Sequence, residues 1–201
     1  MIDLVAARQH FTNTDPILST TLEAILARPN GLEIPEPMPT DQYFMRLCRS
    51  VVSQQLSVKA AQTIWERFAQ LATDIEPARV ASLDLLELRS VGLSNQKARY
   101  IHNFAEQIAT GEVSLDHLEN LDDETVITEL TKLYGIGRWS AEMFLMFTLA
   151  RPDVFSYGDL GLKMGFESLY GYMPTEAIVD TWRPFRTVAA LTLWHAKDNR
   201  P

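Results

Sequence analysis

The sequence predicts an all-α fold. Apolar residues recur at three- and four-residue spacing in segment after segment, residues that start and stop helices bracket those segments, and no set of segments alternates with the period of strands. The chain has 201 residues, 46% hydrophobic and 22% charged. That is an ordinary globular composition, with enough apolar residues for one large domain or two small ones.

The elements follow in order. An N-terminal helix precedes the proline-rich stretch from Pro29 to Pro39, which reads as a linker. Pro39-Thr40-Asp41 opens a helix carrying Phe44, Leu47, Cys48 and Val51 on one side. Ser57 caps a second helix, with Ala61, Ile64, Trp65 and Phe68 as its buried face. A short helix follows Ser82 and stops at Gly92, read as a left-handed cap. Ser94 to Thr110 forms a longer helix through Ala98, Ile101, Ala105 and Ile108, ended by Gly111. Asp122 or Asp123 opens the next, with Val126, Ile127, Leu130 and Leu133 on one side. Gly135-Ile136-Gly137 breaks it, and an apolar helix from about Trp139 to Ala150 follows, ended by Pro152. Asp153 to Gly158 is extended. Asp159 to Tyr170 is a helix with Leu162, Phe166 and Leu169 inside, stopped by Gly171, and two final helices start near Thr175 and Pro184.

Composition excludes several function classes. No apolar run approaches the ~20 residues that span a bilayer, so no membrane role is expected. The N-terminal residues lack a charged region followed by an apolar one, so secretion is not expected. The single cysteine, Cys48, cannot form an internal disulfide, which suits the cytoplasm, nor hold an iron–sulfur cluster, which needs about four thiolates. His10, His102, His117 and His195 show no metal-ligand spacing, and nothing suggests a histidine partner for Ser140 or Ser156. The net charge of −8 means that any grip on nucleic acid must use local basic residues and backbone N–H groups.

Two glycines join helices in Leu133-Tyr134-Gly135-Ile136-Gly137-Arg138-Trp139-Ser140-Ala141. Such a turn aims backbone N–H groups outward at a helix start, where a phosphate fits. On these glycines alone, an αα-hairpin with a glycine cap is the simpler reading. The whole string, however, resembles the helix-hairpin-helix motif of base-excision DNA glycosylases, with Tyr134 where proline is usual. The resemblance implies that Gly135, Ile136, Gly137, Arg138 and Ser140 bind DNA. It also implies that the backbone carbonyls of Thr131, Leu133 and Ile136 hold a monovalent cation, Na+ or K+, with no other cofactor required. Bifunctional members carry a lysine after the hairpin arginine. That position is Trp139 here, which implies a monofunctional enzyme using water.

Twenty residues beyond Trp139 lies Asp159, in a segment that resembles the catalytic stretch of the 3-methyladenine DNA glycosylase II group. An isolated aspartate there would be an ordinary N-cap; the resemblance makes it the catalytic candidate over Asp153. Breaking a glycosidic bond builds positive charge on the sugar, which a fixed carboxylate stabilises. A helix N-terminus keeps that carboxylate ionised, and the anion can orient the attacking water. An electron-rich aromatic pocket suits a flipped, cationic base. Trp139 stands at the mouth of the hairpin helix, and Tyr157 borders the site. The stretch from Trp182 to Trp194 resembles the end of alkylpurine glycosylases, which implies that Trp194 lines the pocket. Met143 stands where a pocket tyrosine occurs in the group, while Trp182 is expected in the core.

Gln54-Gln55-Leu56-Ser57, with Ala60-Ala61 after it, also resembles the superfamily, in which this segment plugs the gap left by the base. Both Gln55 and Leu56 stand as candidates for the plug, and Ser57 caps a helix in either case. Leu93-Ser94-Asn95-Gln96-Lys97-Ala98 matches the group as well, with Lys97 structural or near the phosphates, and Lys163 is counted among the DNA-binding residues.

The resemblance runs from about Asp15 to Trp194 and implies the compact form without an N-terminal α/β domain. It implies two helical subdomains, residues 1–40 with 152–201 and residues 41–151, with the helix-hairpin-helix at about 126–150 and the active-site cleft between them. The expected activity is excision of alkylated bases from double-stranded DNA in base excision repair by a cytoplasmic monomer. The alternatives are a glycosylase for another damaged or mismatched base, or a non-catalytic DNA-binding module.

Overall fold

A computed structural model describes residues 2–198. The described residues form helices and connections, with no strand among them. The all-α expectation therefore holds. In chain order the helices are α1 (Leu4–Thr14), α2 (Pro16–Leu26), α3 (Tyr43–Ser53), α4 (Val58–Ala72), α5 (Pro77–Ala81), α6 (Leu85–Ser90), α7 (Asn95–Ala109), α8 (Asp123–Thr131), α9 (Arg138–Phe147), α10 (Leu160–Tyr170), α11 (Glu176–Val179) and α12 (Arg186–Asp198).

The chain divides into two compact units. One is built from its two ends, up to Pro37 and from Leu145 onward; the other is Met38–Phe144. The sequence reading set the boundaries at 40/41 and 151/152. The second boundary of the structure lies inside α9.

In the terminal unit α10 packs chiefly on α12. Gly165 makes this contact possible, because a Cβ there would lie 2.2 Å from the carbonyl oxygen of Leu193. Phe11, Leu18, Leu22, Phe166, Trp182 and Val188 are fully buried around it, so the expectation for Trp182 is met. A buried carboxylate ties the unit together. Asp15 caps α2 by accepting from Leu18 N at 3.0 Å, and its other oxygen accepts from Tyr170 Oη at 2.6 Å and Trp182 Nε1 at 2.8 Å. Burial, then the bond to Asp15, push the Tyr170 phenol above its ordinary range. A buried charge is tolerable only when it is bonded in this way.

In the central unit α3 packs on α4 and α7, and α5 and α6 pack on α7. Leu47, Val51, Phe68, Ile101, Phe104, Leu130 and Ala141 form its core. Ser57, Ser94 and Asp122 cap α4, α7 and α8 through the amides of Ala60, Lys97 and Thr125. The short helix expected after Ser82 is present as α6, with Asp84 as its cap. The cap is a reciprocal capping box: Asp84 accepts from Glu87 N and Glu87 accepts from Asp84 N, both at 2.8 Å. One local expectation changes, at the end of α9: this hairpin helix stops at Phe147, well before Pro152. Ala150 turns left-handed at φ 50°, and Arg151 N closes back on Leu145 O at 2.9 Å, which terminates the helix without a proline.

Candidate active site

In the central unit the chain leaves α3 through Gln54 and reverses at Gln55, whose φ is 57°. A non-glycine residue in that conformation costs about 1–2 kcal/mol and must be held by its surroundings. Gln54 is half-buried, and its side-chain amide donates to Ser140 Oγ at 3.4 Å. Lys97 of α7 donates from Nζ to the carbonyls of Val52 at 2.8 Å and Gln54 at 2.5 Å. These are end-of-helix carbonyls with no intrahelical partner. Burial lowers the Lys97 pKa from its ordinary value. Gln55 and Leu56 stay exposed, the latter at 39%.

The hairpin follows α8. Ile136 N donates to Leu133 O at 3.0 Å, and Gly135 takes φ 96° beneath the ring of Tyr100. A Cβ on Gly135 would lie 2.3 Å from that ring, so glycine is required twice over. Tyr134, in the place of the usual proline, sets its ring edge-on against Tyr100 at 5.1 Å. Gly137 differs: its φ is ordinary and a Cβ there would meet nothing within 4 Å. Nothing within the chain demands a glycine at 137. Arg138 is engaged internally. Its Nε donates to Glu142 at 3.0 Å, and its Nη1 and Nη2 donate to Glu124 at 3.1 and 2.6 Å. These bonds raise the Arg138 pKa and lower that of Glu124. The guanidinium braces α8 against α9, which the sequence did not foresee. On α9, Trp139 is 42% exposed, Ser140 is buried and Met143 is half-buried.

In the terminal unit Asp159 caps α10. Its Oδ1 accepts from Leu162 N at 2.7 Å and from the indole Nε1 of Trp194, on α12, at 2.9 Å. The carboxylate therefore has a fixed orientation at the positive end of a helix. Trp194 packs its ring on Phe147 at 5.7 Å. Gly161 lies beneath it, where a Cβ would be 2.9 Å from the indole and 3.0 Å from Asp159 Oδ1. Asp153, the rival carboxylate, is held by two guanidinium groups: Arg186 at 2.7 and 3.0 Å and Arg183 at 2.8 Å. It braces the extended stretch that leads to Asp159. Tyr157 borders that stretch, edge-on to Phe155 at 5.0 Å, and burial raises its pKa. Lys163 is half-buried in the first turn of α10.

A hairpin built on two glycines and a helix-capping aspartate beyond it are the features that name this motif. Residues 48–183 match the HhH-GPD superfamily of base excision DNA repair proteins. The chain belongs to this superfamily. It is 35% identical to a DNA-3-methyladenine glycosylase of Schizosaccharomyces pombe over 178 residues, covering 83% of this chain and 75% of that protein. Its fold superposes on a DNA-3-methyladenine glycosidase from Bacillus halodurans with a TM-score of 0.80 and 34% identity, covering 96% of this chain and 89% of the other. A 3-methyladenine DNA glycosylase of S. pombe, solved in complex with abasic DNA, gives a TM-score of 0.79 and 31% identity, covering 94% and 95%.

Within this HhH-GPD chain the structure joins residues that the sequence offered separately: Asp159 with Trp194, and Gln54 with Ser140. It adds three that went unnoticed, Phe147, Tyr100 and Gly161, and gives Lys97 its structural partners. Phe147 supports Trp194, and its sequence signal was its place four residues beyond Met143 on the same helix face. Tyr100 seats the hairpin, Lys97 ties down the Gln54 loop and Gly161 makes room for the indole. Tyr100 and Gly161 have no signal in local spacing, whereas Lys97 stood out in the match from Leu93 to Ala98.

Proposed function

We propose that this chain is a monofunctional DNA glycosylase that removes alkylated bases from double-stranded DNA in base excision repair. The observation that carries the reading is the Asp159 carboxylate, fixed by Leu162 N and Trp194 Nε1 at the head of α10. The names of the homologous 3-methyladenine glycosylases support the substrate class.

The chemistry needs little beyond that carboxylate. An alkylated purine is cationic in the nucleotide and leaves neutral, taking the electron pair of the bond to C1′. Asp159 stabilises the positive sugar as that bond breaks. Water then bonds to C1′ and gives up a proton to Asp159 or to solvent. No lysine stands beside the hairpin arginine, so no Schiff base forms and the strand stays intact. Trp139, Tyr157, Met143 and Trp194 are each candidates to receive the base, and the indole of Trp194 also holds the carboxylate. The amides at the start of α9 take a DNA phosphate, and the bare Gly137 lets the backbone approach. Gln55 or Leu56 fills the gap. The backbone carbonyls of Thr131, Leu133 and Ile136 would offer a monovalent cation three hard oxygens. The Leu133 carbonyl already accepts from Ile136 N, which leaves it a second lone pair. A cation there would offset part of the phosphate charge. The reading takes the chain as a monomer acting in the cytoplasm, where a free, buried cysteine stays reduced.

The test is release of free base from methylated duplex DNA by wild type and Asp159→Asn. The expected result is release by wild type, an unbroken alkali-labile strand, and a variant that binds but loses roughly 100-fold or more in rate. Equal rates for the two proteins would remove Asp159 from the mechanism.

A further inference from the structure

Both loops of the central unit that carry DNA-binding expectations rest on α7. Lys97 and Tyr100 lie three residues apart on that helix, on one face. Lys97 ends on the carbonyls of Val52 and Gln54, where α3 runs into the Gln55 reversal. Tyr100 fills the space left by Gly135 and packs on Tyr134. The circuit closes on the far side, where the Gln54 amide meets Ser140 in the first turn of α9. Gln96 adds a bond to the Tyr100 hydroxyl from one turn earlier.

Simple helix termination does not require this arrangement. One cationic side chain on the last carbonyls would cap α3. Here the cation sits directly before a residue at φ 57°, a conformation that persists only when several contacts determine it. The same helix presses an aromatic ring into the other loop. We propose that Lys97 and Tyr100 are positioning residues, through which α7 fixes the loop that fills the duplex relative to the hairpin that grips its backbone. The inference rests on the glycosylase reading for its purpose, and on the central unit alone for its geometry. Opening a base pair needs both loops at a set spacing, whereas cleavage of the glycosidic bond depends on Asp159. Loss of Lys97 should therefore impair base extrusion more than bond cleavage.

The experiment compares the full chain as wild type, Lys97→Met, Lys97→Arg and Tyr100→Leu. Hydrogen exchange measures loop order without DNA. Single-turnover base release is followed from a methylated duplex and from the same lesion in an unpaired bubble. Lys97→Met should speed exchange at residues 54–57 by roughly tenfold and slow release from the duplex by about tenfold, with the bubble changed less than about twofold. Lys97→Arg should restore most of both. Tyr100→Leu should loosen residues 134–137 and leave 54–57 protected, which keeps the test open if Lys97→Met fails to fold. Unchanged exchange at 54–57 in Lys97→Met, or equal losses on duplex and bubble, would overturn the proposal. Absence of base release by wild type from both DNAs would instead refute the alkylated-base reading, and the exchange result would still decide the role of Lys97.

Discussion

Gly161→Ala is the sharpest probe of the Asp159 site. The added methyl would sit 2.9 Å from two atoms of the Trp194 indole and 3.0 Å from Asp159 Oδ1. Neither partner can simply rotate away, because Trp194 is backed by Phe147 and Asp159 is held by Leu162 N. The indole must shift, and its bond to the carboxylate breaks. A hydrogen bond to a charged group is worth about 1.5–3 kcal/mol. Alanine is the better helix former by about 1 kcal/mol, which offsets part of that loss. Net destabilisation should therefore stay near about 0.5–2 kcal/mol. Activity should suffer more, because a displacement of about 1 Å at a catalytic group can cost roughly 100-fold. Urea denaturation gives the first quantity and single-turnover base release the second. Trp194→Phe removes the same bond while keeping an aromatic ring, so the double variant should be no slower than Gly161→Ala alone. Wild-type rates in Gly161→Ala, or rate losses that multiply in the double variant, would show that the indole does not orient Asp159.

The hairpin glycines should separate cleanly. Gly135→Ala meets both a positive φ and the Tyr100 ring and should cost about 2–3 kcal/mol in urea denaturation, whereas Gly137→Ala should stay within about 0.5 kcal/mol yet weaken binding to abasic-site duplex in a fluorescence titration. Asp15→Ala strands the buried Trp182 N–H and the Tyr170 hydroxyl, and should lower stability by about 3 kcal/mol without changing the ratio of base release on duplex and bubble. Arg138 holds the Glu124 carboxyl below its ordinary 4.5. A lowered carboxyl pKa contributes stability that is full above the unfolded value and fades as pH falls through the folded one. Glu124 is well exposed, so less than about 1 kcal/mol is at stake, and Glu124→Gln should slightly flatten the fall in melting temperature below pH 4.5.

What the sequence could reveal follows from the range of each interaction. Ser57, Ser94, Asp122 and Asp159 cap their helices as expected because a cap bonds an amide three residues away. The short helix expected after Ser82 is capped in the same local way, by Asp84 with Glu87. The bond from Tyr170 to Asp15 spans 155 residues and that from Lys97 to Gln54 spans 43, and neither leaves a spacing to detect. Trp194 illustrates the boundary. The resemblance made it a pocket candidate, but the direction of its N–H, toward Asp159, was not readable, since that depends on how closely α10 and α12 approach at Gly165. Arg138 was read as a DNA ligand from its position alone, and only the fold reveals the two glutamates around it.

Neutralised in advance by Glu124 and Glu142, Arg138 has little positive charge left with which to displace counterions from a duplex. Each phosphate that a protein cation does neutralise steepens the fall of log affinity with log salt by about 0.9. A hairpin that holds its phosphate by backbone amides adds little to this slope, and a chain of net charge −8 adds no long-range attraction. On the proposed reading, binding of this kind should change modestly with ionic strength and give undamaged DNA only a loose hold. The cation that distinguishes the lesion would then lie in the substrate, on the alkylated base, rather than on the protein.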